Sequence, residues 1–205
     1  MLKINKYEGK TEEDALNKAM IELNCESNNL FYTTKTVEGK LFKSGKTIVT
    51  VVQKSDIKEY INEYFKELGK TMNIDIESEV LYKNDSFNIT LLTSNNSLLI
   101  GKEGKNLSAI QTLLRQSLKV KTDMSIKLNI DISNYKEKKL HQLEREVKKI
   151  AKEVQKTKVD VSLDPMNSYE RRYIHNVINE WHNISTESEG EGKDRHIVIR
   201  YVEDK

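Results

Sequence analysis

The sequence has one cysteine, one proline and no long apolar run. A single thiol at Cys25 excludes an intrachain disulfide. The absence of a Cys-x-x-Cys pair or a His/Cys cluster predicts no zinc site, and we expect no other metal or cofactor. No stretch approaches the ~20 apolar residues of a membrane-spanning helix, and the first residues lack the apolar core of a signal peptide. We therefore expect a cytoplasmic protein without a transmembrane segment.

An excess of charge of one sign is also missing. The 205 residues carry a formal net charge of only +2, although 32% of them are charged. No global field therefore drives the chain onto polyanions, and any nucleic-acid site must be a local patch. No Ser/His/Asp or Cys/His set and no carboxylate pair stands out, so we expect no enzymatic activity.

Two glycines, Gly101 and Gly104, mark the stretch around which the rest of the chain is organised. They follow a short apolar run that ends at Ile100. They precede a helix pattern whose apolar side chains recur three and four residues apart: Leu107, Ile110, Leu114 and Leu118. Glycine has no Cβ, so this loop can turn tightly, and a helix N-terminus favours an anion. Gly-x-x-Gly between two short helices is typical of the KH fold, which grips about four nucleotides.

The surroundings of the glycine loop are locally basic. Six basic residues and two acidic ones lie between 97 and 127, which is the local excess that phosphate binding requires. An ordinary turn between two helices is the alternative interpretation of the two glycines. The loop residues predicted to contact RNA are Gly101, Lys102, Glu103, Gly104 and Lys105. Unstacked bases are expected to lie against Ile100 and Ile110.

The segment 39–47, Gly-Lys-Leu-Phe-Lys-Ser-Gly-Lys-Thr, resembles a nucleotide phosphate loop only superficially. Five residues separate its glycines instead of four, and Thr47 continues into a strand-like run rather than a helix. A basic hairpin loop is the better interpretation.

The pattern on both sides of the glycine loop predicts a complete domain. An amphipathic helix begins at Ser55 or Asp56 and ends at Gly69, and a strand pair follows over 74–82 and 86–92. The short apolar run, the glycine loop, its helix and a strand over 125–132 complete the segment. Helix, strand, strand, short helix, loop, helix, strand is the order of the type II KH fold, and it covers 56–133.

The C-terminal third begins with a long helix, 135–157, rich in lysine. Nine Lys or Arg and four Glu lie between Lys136 and Lys158. A solvated face stabilised by pairs four residues apart and a nucleic-acid contact are equally good explanations.

A second group of candidate residues follows on a predicted helix over 166–181, which begins next to Pro165. Arg171, His175 and His182 fall on one strip of this helix, turned away from its apolar side. Strands are predicted over 184–189 and 195–202. A Gly-Glu-Gly loop joins them, with Lys193 and Arg195 just beyond it.

These C-terminal motifs resemble a known module. The run 166–175, the Thr-Glu-Ser-Glu-Gly at 186–190 and the Arg-His-Ile-Val-Ile at 195–199 look like the R-three-H domain, which binds single-stranded nucleic acid. Together with the KH-like segment and an N-terminal strand-helix-strand-strand, the chain resembles the bacterial Jag family. That family is associated with the SpoIIIJ membrane insertase and is also described as a regulator of cell elongation.

The resemblance implies a function and a set of partners. It implies single-stranded RNA contacts at the glycine loop, at Arg171 and His175, and near Lys193 and Arg195. It also implies a link to cell elongation, envelope or sporulation control. The implied protein partners are a second KH protein or another copy of the chain, and insertase or cell-wall proteins that would hold the chain near the membrane. Glu103 departs from the basic residue of many KH loops, and a carboxylate there is expected to weaken phosphate binding.

We therefore predict an α+β protein with three small domains. They are an N-terminal β-α-β-β domain over 1–54, a type II KH domain (α-β-β-α-α-β) over 55–133, and an R-three-H domain over 134–205, with helices on a small antiparallel sheet. The predicted function is regulatory binding of single-stranded RNA without catalysis. The alternative is a protein adaptor at the insertase or cell-wall machinery that retains only residual RNA binding.

Overall fold

A computed structural model describes residues 2–37 and 45–203. The chain forms two compact units, 1–133 and 134–205, and the described residues contain three separate three-stranded sheets. The first unit combines helices with two of these sheets and the second combines helices with one, which confirms the predicted α+β class. No helix in the described ranges is both long and apolar enough to cross a membrane.

The first sheet contains the N-terminal elements in the predicted β-α-β-β order. They are β1 (Asn5–Gly9), α1 (Glu12–Leu23), β2 (Leu30–Val37) and β3 (Lys46–Gln53). The strand order is β1-β3-β2 and all pairs are antiparallel. Ala15 and Ala19 of α1 are fully buried against Val49 and Val51 of β3, because their small side chains let the helix approach the sheet.

Most of the predicted hairpin loop at 39–47 lies outside the described residues, which resume at 45. Thr47 lies within β3. That placement agrees with the strand expected there, rather than with the helix that a phosphate loop requires.

The second sheet belongs to the segment predicted as the KH domain. Its elements are α2 (Lys54–Met72), β4 (Ile76–Lys83), β5 (Ser86–Thr93), α3 (Asn96–Ile100), α4 (Lys105–Thr122) and β6 (Leu128–Ile132). Strand β5 is central, antiparallel to β4 and parallel to β6. This order along the chain is the one predicted from the sequence.

The predicted ends of helix α2 are wrong. The helix begins at Lys54 after Gln53, with no side chain capping it, rather than at Ser55 or Asp56. Gly69 does not end it, since the helix continues to Met72 and Asn73 adopts the left-handed conformation that closes it. Gly69 is needed for close approach instead, because a Cβ there would lie 2.8 Å from the carbonyl oxygen of Ile74.

The first two sheets meet through aromatic side chains within the first unit. The Phe31 ring of β2 lies 5.8 Å from the Tyr82 ring and 6.0 Å from the Phe87 ring, centroid to centroid. The Lys54 ammonium lies 3.9 Å from the centroid of the Tyr82 ring, a cation–π distance. The N-terminal sheet therefore packs directly on the KH segment.

The second unit contains α5 (Tyr135–Thr157), β7 (Val161–Ser162), α6 (Ser168–Ile178), β8 (Ile184–Glu189) and β9 (His196–Tyr201). The sheet order is β7-β9-β8, all antiparallel. Both helices pack on this sheet through one buried cluster: Val147, Ala151, Val154, Ile174, Ile178, Ile197 and Ile199.

The predicted start of helix α6 is wrong. It begins at Ser168, three residues after Pro165, and ends at Ile178 rather than at 181. Asn167 determines the start, because its side chain accepts hydrogen bonds from the amides of Tyr169 and Glu170, 3.0 Å each. Proline therefore precedes the cap and does not occupy the first helical position.

Candidate nucleic-acid interface

The glycine loop joins α3 to α4 through backbone conformations that favour glycine. Gly101 has φ +70° and Gly104 has φ +80°, and both lie in the left-handed range. Between them, Lys102–Gly104 form a single 3₁₀ turn in which Glu103 also has a positive φ, 55°. The loop therefore reverses direction within four residues.

Gly101 is required by space as well as by φ. A Cβ at this position would lie 2.5 Å from Cγ of Asn106. The Asn106 side-chain amide is held there by a 2.8 Å hydrogen bond to the carbonyl oxygen of Leu98, so it ties the first turn of α4 to α3. The sequence signal for this contact is weak, because an asparagine at the second position of a helix has no fixed role.

The first turn of α4 is open to an anion. Gly104 precedes the helix and supplies no side-chain cap, and the turn contains no acidic residue. The Lys105 amide already donates to the carbonyl oxygen of Lys102 in the preceding turn. The amides of Asn106 and Leu107, which follow it in the first turn of α4, lack an acceptor within the helix, and the helix dipole makes this end positive. Lys102 and Lys105 are exposed beside it. Glu103 also lies here, with its carboxylate 3.5 Å from the Lys105 ammonium, so part of the local positive charge is offset.

The two isoleucines predicted to contact bases are placed differently. Ile100, at the end of α3, is half-buried and keeps accessible surface. Ile110 is only 8% exposed, since it belongs to the apolar side by which α4 joins the core. Ile110 therefore offers little surface to a base, and the prediction of base contact rests on Ile100.

Gln111 makes a hydrogen bond to strand β6 that the sequence did not indicate. Its side-chain oxygen accepts a 3.0 Å hydrogen bond from the backbone amide of Ile130, on the outer edge of strand β6. Edge strands present unpaired backbone groups, and this side chain covers one of them beside helix α4. No sequence pattern links residues 111 and 130, so only the folded chain reveals the pair.

In the second unit, the start of helix α6 is capped by side chains. Glu170 completes a capping box with Asn167. The backbone amide of Asn167 donates a 3.1 Å hydrogen bond to the Glu170 carboxylate. Glu170 is 7% exposed, and Lys139 of α5 lies 2.6 Å from its other carboxylate oxygen. The amides of Tyr169 and Glu170 are thus occupied by the Asn167 side chain, and a carboxylate already lies at this end of the helix.

Met166 is hydrogen-bonded to the side chain of Arg171 and to the backbone of Arg195. The Arg171 guanidinium donates a 3.0 Å hydrogen bond to the Met166 carbonyl oxygen, and the Met166 amide donates to the Arg195 carbonyl oxygen at 3.1 Å. Arg195 and Lys193 are exposed, whereas Arg171 is half-buried. Gly190, with φ +78°, allows the connecting loop to fold back here.

His175 does not point freely outward as the helical strip predicted. One ring nitrogen, Nδ1, lies 2.7 Å from the Thr186 hydroxyl, and Nε2 lies 3.2 Å from the Ser188 hydroxyl. The ring is half-buried, and burial, followed by the charge of Arg171, lowers the pKa of His175 below its ordinary value. His175 therefore joins α6 to strand β8 as a neutral imidazole near pH 7.

Comparison with known proteins gives two domain matches that agree with these two regions. Residues 58–132 match the KH domain of KhpA/KhpB, and residues 141–201 match the R-three-H domain. Over 195 residues the chain is 33% identical to "RNA-binding protein KhpB" of Clostridium symbiosum, covering 93% of this chain and 88% of the relative. The chain belongs to the KhpB family.

Other KhpB proteins show the same likeness. The chain is 29% identical to the Bacillus subtilis (strain 168) protein over 201 residues, with 94% of this chain and 96% of the relative covered. It is 32% identical over 141 residues to the Lactiplantibacillus plantarum protein, covering 69% of this chain and 42% of that relative. KhpB is the Jag family, so the resemblance found in the sequence is confirmed.

Proposed function

We propose that this chain binds single-stranded RNA at two surfaces and acts as a regulator without catalysing a reaction. The first surface is the glycine loop with Lys102 and Lys105, and the second is formed by Arg171, Lys193 and Arg195. The relatives are named RNA-binding proteins, and both matched domains support the same ligand.

One observation carries the proposal for the first surface. Helix α4 begins without a side-chain cap, directly after a loop whose two glycines have positive φ, and beside two exposed lysines. An anion held here would accept hydrogen bonds from the open amides and would gain from the helix dipole. A backbone phosphate fits this position, while a neighbouring unstacked base would lie against Ile100.

At the second surface the arginines would bind phosphate and His175 would position them. The Arg171 guanidinium bonds to Met166, whose backbone also bonds to the backbone of Arg195, so the two residues are held near each other. Guanidinium groups bind phosphate oxygens in a forked geometry. His175 has both ring nitrogens engaged with β8, so it orients α6 rather than contacting RNA.

We propose the domain bounds 1–54, 55–133 and 134–205, with cytoplasmic action in cell elongation, envelope or sporulation control.

The test is equilibrium binding of the full chain to a fluorescent single-stranded RNA, compared with the same sequence as a duplex, over a range of salt. We expect tighter binding to the single strand. The logarithm of the binding constant should fall with the logarithm of the salt concentration, with a slope of about −0.7 for each of several phosphate contacts. A chain that binds neither RNA, but is captured by cell-envelope proteins after ribonuclease treatment, would establish the adaptor function instead.

A further inference from the structure

Helix α5 carries a continuous row of basic side chains, six Lys or Arg and one His, on its solvent side. At 100° per residue, seven exposed side chains fall within an arc of about 100°. They are Lys138, His141, Arg145, Lys148, Lys149, Lys152 and Lys156. The four glutamates of the helix fall on either side of this arc and none falls within it. We refer to these seven residues as the α5 cation row.

The packing of α5 fixes the direction of the row. Val147, Ala151 and Val154 are at most 1% exposed and lie on the opposite side of the helix, in the core of the second unit. The helix therefore cannot rotate to hide the row. From Lys138 to Lys156 the row extends roughly 27 Å at 1.5 Å per residue.

Ion pairs within the helix do not account for the row. Lys148 pairs with Glu144 at 2.6 Å, and His141 lies 3.8 Å from Glu137 and from Glu144. Across residues 2–37 and 45–203 the structure gives no ion pair to the other five members of the row. Several of these cations are three or four residues apart, a spacing at which like charges destabilise a helix. A solvated face stabilised by paired charges is therefore the poorer explanation.

We propose that the α5 cation row binds the phosphate backbone of RNA without reading its sequence, a third contact surface that rests on the proposed function. Side chains at this spacing match a polyanion through charge alone. An anionic membrane is a poorer fit, because a helix that lies in the membrane interface also inserts an apolar face. The apolar face of α5 is already buried in the core.

The experiment compares two triple variants of the full chain. Arg145→Gln/Lys149→Gln/Lys152→Gln removes three exposed cations from the row. Lys10→Gln/Lys58→Gln/Lys66→Gln removes three exposed cations from the first unit and changes the net charge equally. The probe is an oligouridylate several times longer than the about four nucleotides held by a KH loop. Binding is measured as a function of salt.

We expect the row variant to lose about tenfold or more in affinity and roughly two units of salt slope, at about 0.7 per lost phosphate contact. Its melting temperature should equal that of the parent, and the control triple should bind as the parent does. Equal affinity and slope for the two triples, with the parent binding normally, would overturn the inference and leave the proposed function intact. A parent that does not bind would overturn both.

Anionic phospholipid vesicles supply the remaining comparison. The parent should bind them no better than the row variant does. Vesicle binding that is lost in the row variant, with RNA affinity unchanged, would assign the row to a membrane surface and overturn the inference.

Discussion

Helices α4 and α6 begin in opposite ways. Helix α4 follows a glycine, has no side-chain cap and has no acid in its first turn. Helix α6 is closed by Asn167 and Glu170, and Lys139 in turn pairs with that glutamate. The start of α4 leaves the amides of Asn106 and Leu107 available, whereas at the start of α6 the amides of Tyr169 and Glu170 already donate to the Asn167 side chain.

This difference assigns different chemistry to the two regions. An open helix start binds an anion through backbone amides, which no side-chain substitution removes. A capped start with a buried carboxylate repels an anion, so the second unit must attract phosphate through side chains such as Arg171 and Arg195. The first region depends on backbone conformation, and the second depends on side chains held in place by hydrogen bonds.

The largest effect is expected from placing charge at the open helix start. Gly101→Asp/Gly104→Asp would put two carboxylates beside the first amides of α4 and should weaken RNA binding roughly tenfold or more, at about 0.7 unit of salt slope per charge. Equilibrium binding over a salt series measures both quantities.

The matched control is Gly101→Asn/Gly104→Asn, which has nearly the same shape and no added charge. Both double variants strain the loop, because both positions have positive φ and a Cβ at 101 meets Asn106. The difference between them therefore reports charge alone. Equal affinities for the two would mean that the loop does not lie near phosphate.

The second effect concerns stability at α6. His175→Ala removes two hydrogen-bond partners from strand β8, and each such bond contributes about 1 kcal/mol. Loss of both bonds, about 2 kcal/mol in total, should lower the melting temperature of a unit this small by about 8–16 °C, at about 4–8 °C per kcal/mol. Arg171→Ala should lower it less while reducing RNA affinity more. Differential scanning calorimetry and binding on the two single variants separate these roles, and the reverse ranking would show that His175 contacts RNA.

The third effect is a pH dependence that only the second region should show. The pKa of His175 is lowered in the folded chain by burial and by Arg171, so the unfolded chain takes up a proton first as the pH falls. Stability should therefore decrease as the pH falls through about 6.5 and level off below the folded pKa. His175→Gln should reduce this decrease in thermal melts between pH 8 and pH 5. A parent and variant with parallel pH profiles would show that His175 does not cause it.

The smallest effect is expected at Glu103. Glu103→Gln keeps the shape of the side chain, removes a carboxylate beside the open helix start and ends its pairing with Lys105. RNA affinity should increase by up to about fivefold near 0.1 M salt, as one charge contributes about 0.7 unit of slope. Glu67→Gln, on α2, is the control of equal charge. Affinity that rises equally in both variants would mean that only net charge matters.

The sequence predicted the backbone-dependent region better than the side-chain region. Glycine spacing encodes the conformation of the loop, and apolar periodicity encodes the order of helices and strands around it. The predicted outward orientation of His175 was wrong, because helical periodicity cannot show that β8 places the Thr186 and Ser188 hydroxyls beside the ring. Ile110 was assigned to a base contact for a similar reason. Its spacing identifies the apolar side of α4 but not how much of that side the core covers.

The most direct test of the account is an amide-resolved NMR titration of the full chain with single-stranded RNA. The amides of Asn106 and Leu107, in the first turn of α4, should shift strongly, because they are the groups proposed to meet phosphate. The amides of Tyr169 and Glu170, at the start of α6, should shift little, because the Asn167 side chain already accepts hydrogen bonds from them. Strong shifts at the start of α6 with none at the start of α4 would contradict the account.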